Sequence, residues 1–240
     1  MVVCLMKYSE EIDRIRQLYT VDYPLNGHDI NFIWHPRNPI SIYYRQAQER
    51  SIVSMLNSLD LKLEDLRVLD VGCGSGSLLR YFSSLGGNPS FMHGVDLIPE
   101  RLSAAQRLGP EAINFSVCNA QYLPFQNATF DLACLFTVFS SIIDHGLRMH
   151  IAREITGIIK DNGYLLWYDM YYSKSMNTQA IKASELESLF PNLKPVYRKQ
   201  IHSPWISRVA KHSFLICYIL DQLPVLQKTH NLYLLQKIAG

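Results

Sequence analysis

Apolar residues fall into two rhythms that alternate from about Leu66 onward. The runs "RVLDV", "FMHGVDL", "AINFSVCNA", "FDLACLFTVF" and "GYLLWYDM" are short and largely apolar, which predicts strands. Between them, "GSLLRYFSSLG", "PERLSAAQRLG" and the stretch from Leu147 to Lys160 repeat apolar residues every three or four positions, which predicts helices. In the last of these, Leu147, Ile151, Ile155, Ile158 and Ile159 fall on one side. The punctuation agrees: Gly86-Gly87 stops the first helix, Pro99 suits the first turn of the second, and Gly109 suits its end. Strands separated by helices of about ten to fifteen residues make a parallel sheet with helices on both faces. Such sheets bind ligands beyond the carboxyl ends of their strands, near the point where strand order reverses.

The flanks follow the same reading. Residues 1–64 predict a short helix near "EEIDRIRQLY", an aromatic loop "DYPLNGHDINFIWHPRNP" and a helix "YYRQAQERSIVSMLNSL". After Asn177 come a helix "IKASELESLF", a strand near "KPVYRKQIH", one helix around "WISRVAKHSFLICYILDQL" and a last strand "LYLLQKIA". The expected fold is α/β, Rossmann-like, with a mostly parallel seven-stranded sheet and helices on both faces. Residues 1–64 form an N-terminal helical cap or lid, and 65–240 the core with its closing strands. No internal repeat or low-complexity segment interrupts it.

Composition narrows the class. With 48% hydrophobic and 18% charged residues in 240, the chain is an ordinary globular sequence with room for a sizeable core. No window reaches the roughly 18 consecutive apolar residues of a membrane helix. The start, "MVVCLMKYSEE", does not read as a secretory signal, so the expectation is a cytoplasmic protein. Cys4, Cys73, Cys118, Cys134 and Cys217 are widely spaced and form no CxxC pair, which predicts reduced, structural cysteines and no metal site. The "NAT" at Asn127 is then a chance match to a glycosylation acceptor. The net charge of +2 hides an asymmetry: from Tyr171 onward nine Lys/Arg face three Asp/Glu, against 14 and 18 in the rest. That basic tail is either a solvated face or a surface for an anionic partner.

The stretch "VLDVGCGSGSLL" carries the first chemistry. Its glycines, Gly72, Gly74 and Gly76, alternate with Cys73 and Ser75, and Ser77 stands where the third glycine of a dinucleotide loop belongs. The spacing is wrong for NAD. Asp70 closes the strand just ahead of glycines that let a ligand lie on bare backbone. A ligand with a cationic amino acid end can use that carboxylate; a diphosphate cannot.

"VLDVGCGSGSLL" resembles motif I of the class I S-adenosylmethionine-dependent methyltransferases, and three further segments match that family in register. "GVDLIPERL" is similar to its second-strand signature, which implies that Asp96 accepts both ribose hydroxyls. Leu97 beside it can cover one adenine face. "CNAQYLPFQNATFDLACLFTVFSSI" resembles the segment from the adenine contact to the fourth strand, and "REITGIIKDNGYLLWYD" the helix, turn and fifth strand that close the common core. Asn119 stands where many members carry Asp, so Asn119 or Gln121, with Ala120 between them, meets the adenine amino group. Phe136 and Thr137 fall where the reacting methyl points. "KDNG" replaces the more usual "KPGG", a difference in a turn.

The resemblance implies S-adenosylmethionine as cofactor and a helix before the core that folds over it. There Tyr44 lies beside Arg45, which either pairs with the cofactor carboxylate or is solvated. Trp34 and His35, with Arg37, lie in a proline-rich loop that is a lid or a packed connector. His145, preceded by Asp144 as a helix N-cap, is the candidate general base for a hydroxyl acceptor; a surface histidine is the alternative. Tyr168, Asp169, Tyr171 and Tyr172 form a substrate wall or plain packing, and Arg208, with His202, could meet an acidic group. The expected function is methylation of a small molecule, neutral or acidic, or of a natural-product or sugar intermediate, most often at oxygen. A non-catalytic cofactor-binding regulatory module is the second class. Nucleic-acid methylation is the third, and "FTVF" stands where amino-methylating enzymes place D/N-P-P-Y/F.

Overall fold

A computed structural model describes residues 8–23, 35–173, 176–201, 204–223 and 228–238. Seven strands are β1 (Val68–Val71), β2 (Met92–Asp96), β3 (Asn114–Val117), β4 (Phe130–Phe136), β5 (Ile159–Met170), β6 (Leu193–Ile201) and β7 (His230–Lys237). They form one sheet in the order β3-β2-β1-β4-β5-β7-β6, parallel except for β7, which runs against both its neighbours. The order reverses at β1, which pairs with β2 on one side and β4 on the other, so the crevice lies above Val71. The helices are α1 (Ser9–Gln17), continued by a π turn over Leu18–Asp22, α2 (Pro39–Ser58), α3 (Ser77–Ser84), α4 (Pro99–Leu108), α5 (His145–Ile158), α6 (Ala183–Leu189), α7 (Pro204–Val209) and α8 (Phe214–Asp221).

Strand alternation distributes the core to two faces. Leu69, Ala133, Leu135, Leu165 and Trp167 point to the layer of α1, α5 and α6. Val68, Leu132, Cys134, Leu166 and Tyr168 point to the layer of α2 and α3. Covering both faces is what a parallel sheet requires. The caps are those the residues offer: Asp144 accepts from Leu147 N at 2.7 Å, Asn38 from Ile40 N at 2.9 Å, and Pro99 opens α4.

One expected element divides. The helix expected around "WISRVAKHSFLICYILDQL" is two helices, because the Ser213 backbone is extended and its hydroxyl accepts from Ile216 N at 3.3 Å, starting α8 afresh. Cys73, Cys118, Cys134 and Cys217 are free thiols; Cys4 lies outside the described residues.

Candidate functional site

The loop after β1 turns on three left-handed glycines, Gly72 (φ +74°), Gly74 (φ +54°) and Gly76 (φ +73°). Their surroundings give them different tasks. A Cβ on Gly72 would meet Val138 Cγ2 at 2.7 Å, and one on Gly76 would meet Phe115 Cζ at 2.9 Å and Ala105 Cβ at 3.1 Å. Gly76 therefore serves close packing between the loop and its neighbours. A Cβ on Gly74 would meet only Arg101 Nη1, at 3.7 Å, so its space faces the crevice. Cys73 is buried, with its N–H on Val95 O at 3.0 Å; it helps anchor the loop to β2.

Asp96 ends β2 and is 8% exposed. Its Oδ2 accepts from Gly74 N at 2.8 Å and its Oδ1 from Ile98 N at 2.9 Å. Burial pushes its pKa up, against the pull of those N–H groups and of Arg101. A carboxylate has about four lone-pair sites, so two remain for a ligand. Asp70, one strand over and 2% exposed, has a buried Oδ1 with no hydrogen-bond partner. Burial, then the charge of Asp96, raises its pKa to about 8.

Above Asp96 lies a cavity of about 150 Å³, whose lining does not include Asp70. Gly72, Asp96 and Leu97 line it from the first two strands, Cys118, Asn119 and Ala120 from the end of β3, and Phe136, Thr137 and Ser141 from the end of β4. Among the described residues, Asp96 and Arg101 are its charged lining side chains. Asn119 Oδ1 accepts from Gln121 N at 3.0 Å, which holds the amide at the rim. Gln121 is buried and outside the lining, so of the two adenine candidates the structure brings Asn119 to the cavity. Thr137 takes φ +55°, unusual for a β-branched residue, with its N–H on Tyr168 O at 2.8 Å.

The roof comes from α1. Ile12, Ile15 and Tyr19, spaced three and four apart, line the cavity. The Tyr19 hydroxyl pairs with the Ser141 hydroxyl, and Arg14 donates to Ser141 O. Arg101 lies 4.6 Å from the Tyr19 ring centroid and donates to Tyr23 O at 2.8 Å. Sequence reasoning missed Tyr19, Ser141 and Arg101. The spacing of Ile12, Ile15 and Tyr19 in "EEIDRIRQLY" carried the signal for the roof.

Several expected site residues lie elsewhere. His145 is the exposed first residue of α5, with Nδ1 3.3 Å from Glu185 Oε1; it shares that carboxylate with the buried Arg148 and does not line the cavity. Asp144 caps the same helix end. Arg45 is exposed on α2, 3.8 Å from Glu49, because its position turns it away from the cavity. Tyr44 is buried edge-on to His230, and Tyr168 stacks on His230 at 5.1 Å and leans on Phe136 at 5.3 Å. Tyr168 thus backs the cavity wall through Phe136. Tyr171 donates its hydroxyl to Lys228 O. Asp169 accepts from Ser140 N at 3.0 Å and ties β5 to the turn after β4. His35 accepts from Arg37 N at 3.2 Å ahead of α2, and Arg208 is exposed on α7; neither lines the cavity. Trp34 and His202 lie outside the described residues.

The profile of a methyltransferase domain matches residues 69–167, from β1 through most of β5. The ubiquinone biosynthesis O-methyltransferase of Azorhizobium caulinodans is 29% identical over 136 residues, 55% of this chain and 51% of that protein. A ubiquinone/menaquinone biosynthesis C-methyltransferase of Cellvibrio japonicus is 30% identical over 127 residues, 51% of this chain and 49% of that one. The chain spans about half the length of these curated relatives. A solved S-adenosylmethionine-dependent methyltransferase from Methanosarcina mazei superposes with a TM-score of 0.56 at 18% identity, covering 77% of this chain and 98% of that one, and shares the fold. Residues 69–167 thus form a methyltransferase domain of the class I S-adenosylmethionine-dependent type.

The residues present fit that family's cofactor on three counts. The orphaned Asp70 Oδ1 suits a cationic amino acid end, the free capacity of Asp96 suits a ribose diol, and the bare backbone at Gly74 leaves the space that a side chain would fill.

Proposed function

We propose that the protein transfers a methyl group from S-adenosylmethionine to an oxygen of a small, largely apolar molecule, with residues 1–64 acting as the cap. The carrying observation is the position of Asp96, its two oxygens fixed by Gly74 and Ile98 N–H at the floor of a cavity lined mostly by apolar side chains. When bound, the cofactor supplies a sulfonium-activated methyl group. Asp96 holds the ribose hydroxyls, Leu97 and Ala120 flank the adenine, and the Asn119 amide meets its amino group. Ile12, Ile15 and Ile142 exclude water, which strengthens every polar contact inside. Tyr19 and Ser141 present a hydroxyl pair to the acceptor end, and burial raises the Tyr19 pKa, keeping it a neutral hydrogen-bonding group.

The cavity, lined by no histidine among the described residues, offers His145 no path to an acceptor. It favours an acceptor oxygen acidic enough to ionise without a dedicated base, a phenol or a carboxylic acid, and makes catalysis a matter of alignment and dehydration. The relatives support oxygen in one case and carbon in another by their names. Calorimetry with S-adenosylmethionine, its demethylated product and NAD tests the cofactor; binding of NAD alone rules the reading out. Mass spectrometry of extracts incubated with methyl-labelled cofactor identifies the acceptor. Label on a nucleic acid, or cofactor binding with no labelled product, would replace the small-molecule reading.

A further inference from the structure

The basic C-terminal charge does not converge on the cavity. Of it, Arg208, Lys211 and Lys228 flank an exposed apolar helix in the chain. In α8, Leu215 is 69% exposed, Ile219 56%, Tyr218 54% and Ile216 48%, while Cys217 alone is buried. Leu223 extends the same surface beyond the helix. Monomeric proteins seldom leave a contiguous apolar patch of this kind uncovered. Around it stand exposed cations: Lys211 and Arg208 precede the helix, and the Arg50 guanidinium lies 6.0 Å from the Tyr218 ring centroid. The nearby acid, Asp221, is ion-paired to Lys228.

The topology fixes where this surface lies. β6 and β5 both run against β7, so they are parallel to each other. Ile201, the last residue of β6, therefore leaves the sheet at the edge from which β1, β2 and β4 open into the cavity. α7 and α8 fill the connection from that edge back to β7, and pack through Ile206, Ala210 and Cys217 on Ile40, Tyr43 and Tyr44 of α2. The apolar helix is held by the cap, on the site's side of the sheet.

We propose that α8 and its cationic surround dock the protein on an anionic lipid membrane. An apolar helix face beside Lys and Arg matches both components of such a surface, acyl chains below and anionic headgroups at the level of the cations. A second copy of the chain is a poorer occupant. A two-fold interface on this patch would bring Arg50, Arg208 and Lys211 toward their own counterparts, like charge against like. No helix among the described residues is long and apolar enough to cross a membrane, so attachment here is interfacial and reversible.

The test is co-sedimentation of the full-length protein, without cofactor, with phosphatidylglycerol-containing vesicles and with pure phosphatidylcholine vesicles. Binding is expected to the first, about tenfold weaker to the second, and about tenfold weaker in about 0.5 M salt, where the screening length is only a few ångströms. Leu215→Ser with Ile219→Ser is expected to lower vesicle binding by about tenfold or more with an unchanged melting temperature. Lys211→Glu, at an exposed position, provides a second variant if the first is unstable; it should weaken binding to anionic vesicles only. Absence of binding to either vesicle, equal binding to both, or binding unaffected by either variant overturns the proposal. So does a dimer in sedimentation velocity that the double variant dissociates while vesicles bind nothing. Because the assay contains no cofactor or acceptor, its outcome is independent of the methyl-transfer reading.

Discussion

The Asp96 carboxylate reaches across from β2 to accept the Gly74 amide of the β1 loop at 2.8 Å, joining the two elements that frame the floor of the cavity. Its other oxygen is committed to Ile98 N. Asp96→Asn would turn one of these acceptors into an amide donor facing an N–H, and would remove the charge offered to a ribose diol. Cofactor affinity should fall by about 10- to 100-fold, and the free protein should lose about 1–2 kcal/mol. Calorimetry and thermal melts read the two effects separately; an unchanged affinity in a folded variant means that the ribose lies elsewhere.

Asp70 makes cofactor affinity depend on pH. Its pKa is about 8 in the free protein, because it is buried and then because Asp96 is near, so it is largely neutral at pH 6. A cationic ammonium group favours the carboxylate, and binding below pH 8 must release that proton. Affinity should therefore rise toward about tenfold per pH unit from about pH 6 to 8, with proton release visible as a dependence of calorimetric heat on the buffer. In Asp70→Asn the slope should vanish.

The core strands and the cofactor loop were legible in the sequence because they depend on near neighbours. Buried strands show as apolar runs, and the left-handed turns at Gly72, Gly74 and Gly76 show as glycine at fixed spacing. The cavity roof was legible only in part: Ile12, Ile15 and Tyr19 show helical spacing, but the bond of Tyr19 to Ser141 depends on how α1 docks, more than a hundred residues away in sequence. The surroundings of His145 are hidden for the same reason. Its position after β4 points toward the cavity, whereas the Asp144 cap starts α5 with residue 145 outward, toward Glu185 of α6. The break at Ser213 was readable in principle as an N-cap serine, and was hidden by the continuous apolar content around it.

His145 and Arg148 should separate cleanly on substitution. His145 is exposed and only shares Glu185, so His145→Ala should leave turnover within about twofold from pH 6 to 9. A drop of about a hundredfold would restore it as the base. Arg148 is 1% exposed, pairs with Glu185 at 2.8 Å and donates to Ile143 O at 3.1 Å in the turn after β4. Arg148→Ala should cost about 3 kcal/mol or more in stability, measured by denaturant unfolding, since it strands a partly buried carboxylate.

His230 makes part of the stability acid-sensitive. It is buried between Tyr168 and Tyr44, and burial lowers its pKa from 6.5 to about 4. Its contribution is fully present above pH 6.5 and is lost as pH falls through 4, because the unfolded state binds the proton first. Asp70 and Asp169, raised to about 8 and about 6 by burial, act in the opposite direction, so the total curve does not isolate it. The difference between His230→Gln and the parent does. The variant should gain about 2–3 kcal/mol relative to the parent between pH 7 and pH 4, and a difference independent of pH would refute the assignment.

Arg101, on α4, stacks against Tyr19 at 4.6 Å and donates to Tyr23 O, while its Nε is buried without a partner. It therefore links the π turn after α1 to the helix that follows Asp96. From the other end, Glu11 accepts from Ile143 N and pairs with Arg14 at 2.7 Å, so α1 is held to the turn after β4 as well. Arg101→Ala should remove the cation–π contact and one anchored carbonyl, together about 1–2 kcal/mol of local stability. Hydrogen exchange in residues 9–23 should then accelerate about 5- to 30-fold, while amides of β1, β4 and β5 keep their protection. Because Arg101 also opposes the burial-driven rise in the Asp96 pKa, its loss should move that pKa further up. Arg101→Lys keeps the charge but loses the planar stacking, so it should restore the behaviour of Asp96 more fully than the protection of the roof. Unchanged exchange over residues 9–23 in Arg101→Ala would mean that Glu11 and the Ile12, Ile15 and Tyr19 face alone hold α1 over the cavity.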